Sequence, residues 1–266
     1  MRNARYHLSR IGGDTRLRVL EMGDDATGRA NVWAHLGETF AVASVSDGQD
    51  RAATMVQSRN LVVSLQKTEA DVFVLRAGAN DLLGHGRLAR VLGNVDPGAG
   101  VAIDAPALAR VIREVISDCR AILTSARFER PDIALILRGY SLPICTSKSQ
   151  WLSVPFRTLE LEQSKANATV RMIIVALNSA LATLAANISG CQFVSPEDAV
   201  PLSMKHAFDP LVTGRGVEHL ALRDALLAPN HTAVRSSRST PLQRFAPIDP
   251  LGLTLVSDEL DKGMGF

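Results

Sequence analysis

Two places in the sequence set polar side chains able to do chemistry directly behind an apolar run. Asp24 and Asp25 follow RVLEMG, and Asn80 with Asp81 follows VFVLRAGA. Carboxylates so placed can hold a hard divalent cation, or one of them can act as a nucleophile whose ester is cleared by base-activated water. A Mg²⁺ or Mn²⁺ site would draw on Asp24, Asp25, Asn80 and Asp209, but adjacent side chains point apart, so neither a metal nor a cofactor is expected. The bases nearest in sequence are His206 and His219. His219 lies in an EHLAL run that reads as a helix-surface or half-buried position, whereas His206 precedes Ala207–Phe208 and could swing toward a site. Asp81 reads as a cap for loose backbone amides after a strand. Cys145 follows Pro143 and Ile144 with no histidine nearby and is not read as a nucleophile, while Cys119 and Cys191, among apolar neighbours, read as core.

The elements that must position these residues alternate in type. Apolar, β-rich runs at Arg18–Met22, Phe40–Val45, Val72–Ala77, Ile133–Leu137 and Gln192–Val194 predict five strands. Between them, Asn31–Thr39, Thr54–Gln66, Pro106–Ser125 and Glu162–Asn187 carry apolar residues three and four apart and predict crossover helices. That alternation predicts an α/β domain of three layers, a five-stranded parallel sheet with helices on both faces and its ligand site at the strands' carboxyl ends. Leu82–Asp104, rich in glycine, and Gly139–Phe156, with Pro143 and Trp151, break the rhythm and read as loops shaping that edge. From Pro229 the Ser-, Pro- and Arg-rich sequence predicts an extended or disordered tail over 229–266. The expected division is an extension at 1–17, a domain at 18–228 and that tail.

Bulk properties narrow the classes. With Lys+Arg 29 against Asp+Glu 27 among 266 residues and no long run of either sign, no nucleic acid partner is expected. No stretch reads as the roughly 20 apolar residues that span a bilayer, so no membrane is expected either. The first seventeen residues are basic without an apolar h-region, so no secretory signal is expected. Three scattered cysteines fit no disulfide framework, and a soluble protein of the reducing cytoplasm is expected.

Several blocks resemble those of the SGNH (GDSL-type) hydrolases. MGDD at Met22–Asp25 is similar to the family's G-D-S block, and GAND at Gly78–Asp81 to its G-x-N-D block. SVSDGQDRAAT resembles N-x-G-x-x-G-x-T, with Gly48 at the first glycine and Arg51 at the second. RGYSLPI followed by Trp151 resembles the G-Y-D-Y-P-I…W segment of one branch, and Val170–Ala186 its long helix. The resemblance covers about Arg18 to Ala228 and implies a flavodoxin-like SGNH fold. It puts Asp25 at the nucleophilic serine, Asp24 packed behind that position, Arg51 at the oxyanion glycine and Asn80 at the oxyanion asparagine. The family's closing D-x-x-H-P-T-x-x-G has its counterpart in KHAFDPLVTGRGVEHLA. Aligning Thr213 and Gly216 puts Phe208 at the acid and Leu211 at the histidine; aligning Asp209 with the acid puts Val212 at the histidine.

Acyl transfer needs a hydroxyl nucleophile, a base within reach and donors aimed at the oxyanion. Two of those parts are replaced here. The resemblance therefore implies a catalytically degenerate protein that binds a small molecule or a protein partner in the former cleft. Two alternatives remain open: an ester hydrolase with a displaced constellation such as Asp25 with His206, and a scaffold acting through its C-terminal tail. Because the family's serine and oxyanion-glycine positions face one small space, Asp25 and Arg51 are expected to form an ion pair or a one-water bridge there.

Overall fold

The structure is a computed structural model that describes residues 17–24, 40–45, 50–84, 86–93, 102–141, 155–195 and 222–226. The segments expected to be an N-terminal extension and a tail fall outside those residues, apart from Leu17. So does the helix expected over Asn31–Thr39.

Five strands form one sheet: β1 (Leu17–Gly23), β2 (Phe40–Ser44), β3 (Val72–Arg76), β4 (Ala134–Arg138) and β5 (Cys191–Val194). All pairings are parallel, in the order β2-β1-β3-β4-β5. The chain thus has the expected α/β fold. The central strands read as unbroken apolar runs because helices cover both faces of a parallel sheet. On one face Val19, Phe40, Val72, Val74, Ile136 and Val194 pack with Leu222, Ala225 and Leu226 of the helical turn at 222–226. Leu20, Met22, Phe73, Leu75, Leu135 and Leu137 alternate with them and are also buried.

The helices are α1 (Ala52–Gln57), α2 (Asn60–Thr68), α3 (Ala79–Leu82), α4 (Ala105–Glu129) and α5 (Gln163–Ala186), with a 3-10 turn at Arg87–Arg90. The single helix expected over Thr54–Gln66 is two. Ser58 takes an extended conformation, and its hydroxyl accepts the Asn60 amide at 3.1 Å, closing one helix and starting the next. In α4 the stripe Leu108, Ile112, Val115, Cys119, Ile122 and Ala126 is buried, a spacing of three and four that presents one face to the core. Asp104 caps this helix by accepting the Ala107 amide at 2.9 Å, and Pro131 beyond Arg130 ends it.

Helix α5 corrects one expectation. Over 24 residues it is long and apolar enough, by length and composition, to cross a bilayer. Here its apolarity has another use: Val170, Ile173, Ile174, Leu177, Leu181 and Leu184 are buried, and the helix packs on β4, β5 and α4. Cys119 is buried as expected, whereas Cys191 is only half-buried, on the edge strand β5.

Candidate functional site

The carboxyl ends of β1, β3 and β4 meet at Asp24. As β1 ends, the Asp24 amide donates to the Arg76 carbonyl at 3.0 Å, and its side chain turns inward, only 4% exposed. Oδ2 accepts the amides of Gly78 at 3.0 Å and Asn80 at 3.1 Å. Oδ1 accepts the Tyr140 hydroxyl at 2.8 Å. Three donors therefore converge on one carboxylate, the reverse of the lone pairs a cation would require. Among the described residues no group of three His, Cys, Asp or Glu side chains is placed to hold a metal ion.

The main chain makes this convergence possible at Gly78. Its φ of 121° lies where L side chains rarely go, and a Cβ there would stand 2.7 Å from Val115 Cγ1 of α4. Only glycine lets the chain turn so tightly that two amides two positions apart face one oxygen. Tyr140 is set from the other side. Asn178, inside α5, accepts the Tyr140 amide at 2.9 Å and donates to the Tyr140 carbonyl at 2.8 Å. Arg76 places its guanidinium 4.7 Å from the centre of the Tyr140 ring, a cation–π contact.

Burial pushes the Asp24 carboxyl up to about 6, even though Arg76, the Asn80 amide and the Tyr140 hydroxyl all favour its charged form. The same burial, reinforced by Asp24, raises the Tyr140 hydroxyl well above its ordinary range. On β1 and β4, Glu21 and Arg138 form a buried ion pair at 3.8 Å.

Asn80 is half-buried at the mouth of this arrangement, and its side chain braces it. Nδ2 donates to the Asp24 carbonyl and to the Asp50 carbonyl, each at 2.9 Å. Both amide hydrogens are thus directed at main-chain acceptors, tying the end of β1 to the segment that leads into α1. Asp81 does act as a cap, but for α1 and not for its own turn: its Oδ2 accepts the Ala52 amide at 3.0 Å. Burial raises its carboxyl as well. Arg51 stands at the N-cap of α1, where its amide donates to Thr54 Oγ1 at 2.8 Å.

Asp25, Gly48, Cys145, Trp151, His206, Asp209 and His219 lie outside the described residues, as do all six histidines of the chain. Of the expected Asp25–Arg51 pair, only the arginine lies among the described residues. Tyr140, Asn178, Arg76 and Arg138 belong to the site without having been singled out for it. A signal existed for each: Arg76 and Arg138 end apolar strands with a charge, Asn178 interrupts the apolar run VALNSALA, and Tyr140 lies in the RGYSLPI block.

No protein-family profile matches the chain, and no curated protein does. Solved structures do. A Streptococcus pneumonia protein provisionally named platelet activating factor is similar at a TM-score of 0.52 and 16% identity, over 83% of this chain and 86% of that one. Phospholipase A1 from Streptomyces albidoflavus NA297 aligns at a TM-score of 0.49 and 11% identity, over 79% of this chain and 99% of its own. The extracellular lipase of Streptomyces rimosus aligns at 0.49 and 13%, with the same coverage. The all-parallel sheet, its strand order and the first of these likenesses, at a TM-score of 0.52, define an SGNH hydrolase-like fold. At such identities the likeness concerns the fold alone.

Proposed function

We propose that the protein keeps the architecture of an SGNH hydrolase without its ester hydrolysis, and binds a small molecule or a side chain of a protein partner where β1, β2 and β3 end. The observation that carries this reading is the double engagement of Asn80. A side chain whose two amide hydrogens already face the Asp24 and Asp50 carbonyls is a brace and has no hydrogen left for a developing oxyanion. The sequence supports the same reading, with Asp25 where the resemblance calls for serine.

The test is hydrolysis of p-nitrophenyl acetate and butyrate by the full chain. Turnover at the buffer background is expected, because nucleophile and base each contribute orders of magnitude to acyl transfer. Asp25→Ser alone should leave it there, since serine without a base is a weak nucleophile near neutral pH. Rates typical of ordinary esterases, abolished by Asp25→Ala, would overturn the reading in favour of a displaced catalytic constellation.

A further inference from the structure

Charge is divided lengthwise along the solvent side of α4. Arg113, Arg120 and Arg127 recur at every seventh position, two helical turns, so they stand in one row with successive members about 10 Å apart. Arg113 and Arg120 are exposed, and Arg127 is half-buried. The acids of the same helix, Glu114, Asp118 and Glu129, lie toward its other flank. Two hydrogen bonds fix the sense of this division. Glu129 Oε2 accepts from Gln66 Nε2 of α2 at 3.2 Å, and Arg127 Nη2 donates to the Ser189 carbonyl, just beyond α5, at 3.1 Å. The acidic flank therefore borders α2 and the basic flank borders α5, both of which pack on α4.

The nearby acids do not neutralise the row. Four positions beyond Arg113 and Arg120 stand Ser117 and Thr124, and neither arginine makes a hydrogen bond or ion pair with any described residue. Arg110 is not counted in the row, because Glu114 stands four positions on from it. Burial first and then Glu114 push the Asp118 carboxyl up, so a second acid and not an arginine is the charge acting on it. Helix α5 brings no acid: its charges are Lys165 and Arg171, and its exposed Ala168, Ser179 and Thr183 are small. Glu162, ahead of that helix, faces Lys165 at 4.0 Å.

The width of the basic row selects the partner. A surface lying flat across the helices, a bilayer or a nucleic-acid duplex, would press its phosphates on the exposed Glu114 as well. A partner one helix wide meets the arginines and α5 alone. Side chains seven positions apart on a helix laid along α4 recur at the same interval of about 10 Å, so acids so spaced each meet one planar guanidinium fork. One position beyond Arg127, Phe128 is 83% exposed and gives the row an apolar end.

We propose that the α4–α5 surface docks an acidic helical segment of a protein partner, whose carboxylates pair with Arg113, Arg120 and Arg127 and which covers Phe128. The inference does not rest on the reading of the strand edge.

The test is fluorescence anisotropy of a labelled peptide of three LEAAEAQ heptads, titrated at low salt with the full chain, beside its LQAAQAQ and LKAAKAQ counterparts. The acidic peptide should bind saturably and about tenfold or more tightly than the uncharged one. Arg113→Glu together with Arg120→Glu should weaken it about tenfold or more and turn the preference toward the lysine peptide. Phe128→Ala should weaken it about threefold. Arg59→Glu with Arg223→Glu makes the same change of net charge at exposed positions outside the row and should leave the affinity within about twofold. Absence of saturable binding, equal affinity for the acidic and uncharged peptides, or equal losses in the two double variants overturns the proposal. An affinity unchanged in Phe128→Ala overturns the placement of the contact along this stretch of α4. Binding to vesicles of equimolar phosphatidylserine and phosphatidylcholine, lost with the row while the peptide fails, overturns it in favour of a membrane surface.

Discussion

At the residue scale the molecule turns on the carboxyl of Asp24, which is held by three donors and yet raised to about 6 by burial. An acid with a folded-state pKa above its unfolded value favours folding most when protonated. Its contribution is complete below the unfolded value of 3.8 and is lost as pH rises through about 6. Asp24→Asn keeps an acceptor for the Gly78 and Asn80 amides and turns its NH₂ toward the Tyr140 hydroxyl, but does not titrate. The stability of the variant relative to the parent should therefore improve by about 3 kcal/mol between pH 3.5 and pH 7, measured by urea unfolding across that range. Parallel stability–pH curves for the two proteins would show that Asp24 titrates normally. The position was legible in the sequence through its similarity to a G-D-S block, including the inward packing of its second residue. Its chemical state was not, because burial by Tyr140 and the α3 turn is a property of the assembled fold.

At the element scale the strands were the most legible part, since a parallel sheet buried on both faces leaves continuous apolar runs. The helix boundaries were less so. Thr54–Gln66 keeps one apolar periodicity across a break that Ser58 makes with a side-chain hydrogen bond, and periodicity does not register such bonds. Asn178 shows the same limit from inside a helix: its clamp on both main-chain groups of Tyr140 joins α5 to the end of β4. Asn178→Ala should cost about 2 to 4 kcal/mol in equilibrium unfolding, because two main-chain groups lose their partners together. A cost below about 0.5 kcal/mol would mean that water replaces the clamp. Gly78→Ala combines a forbidden φ with a 2.7 Å approach to Val115 and should cost about 2 kcal/mol or more. An unchanged melting temperature for that variant would contradict the turn described at Gly78.

For the whole molecule, the sequence conveyed the layers and the edge at which the site lies. It did not convey the site's interior, whose partners are drawn from elements far apart in the chain. Gly78 and Asn80 stand 54 and 56 positions from Asp24, and Tyr140 stands 116 positions away. These separations give the Asp24 cluster a place in time as well as in space. Closing a loop of that length is entropically unfavourable until the intervening crossovers have docked, so the Tyr140–Asp24 contact is expected to form late in folding. Tyr140→Phe should accordingly raise the unfolding rate about tenfold and change the folding rate by less than about twofold in stopped-flow denaturant jumps. Folding slowed by the same factor would place the contact in the nucleus. If the contact closes late, every chain passes through a nearly complete sheet whose central carboxylate is still in water, and the edge becomes competent to receive a ligand only at the final step.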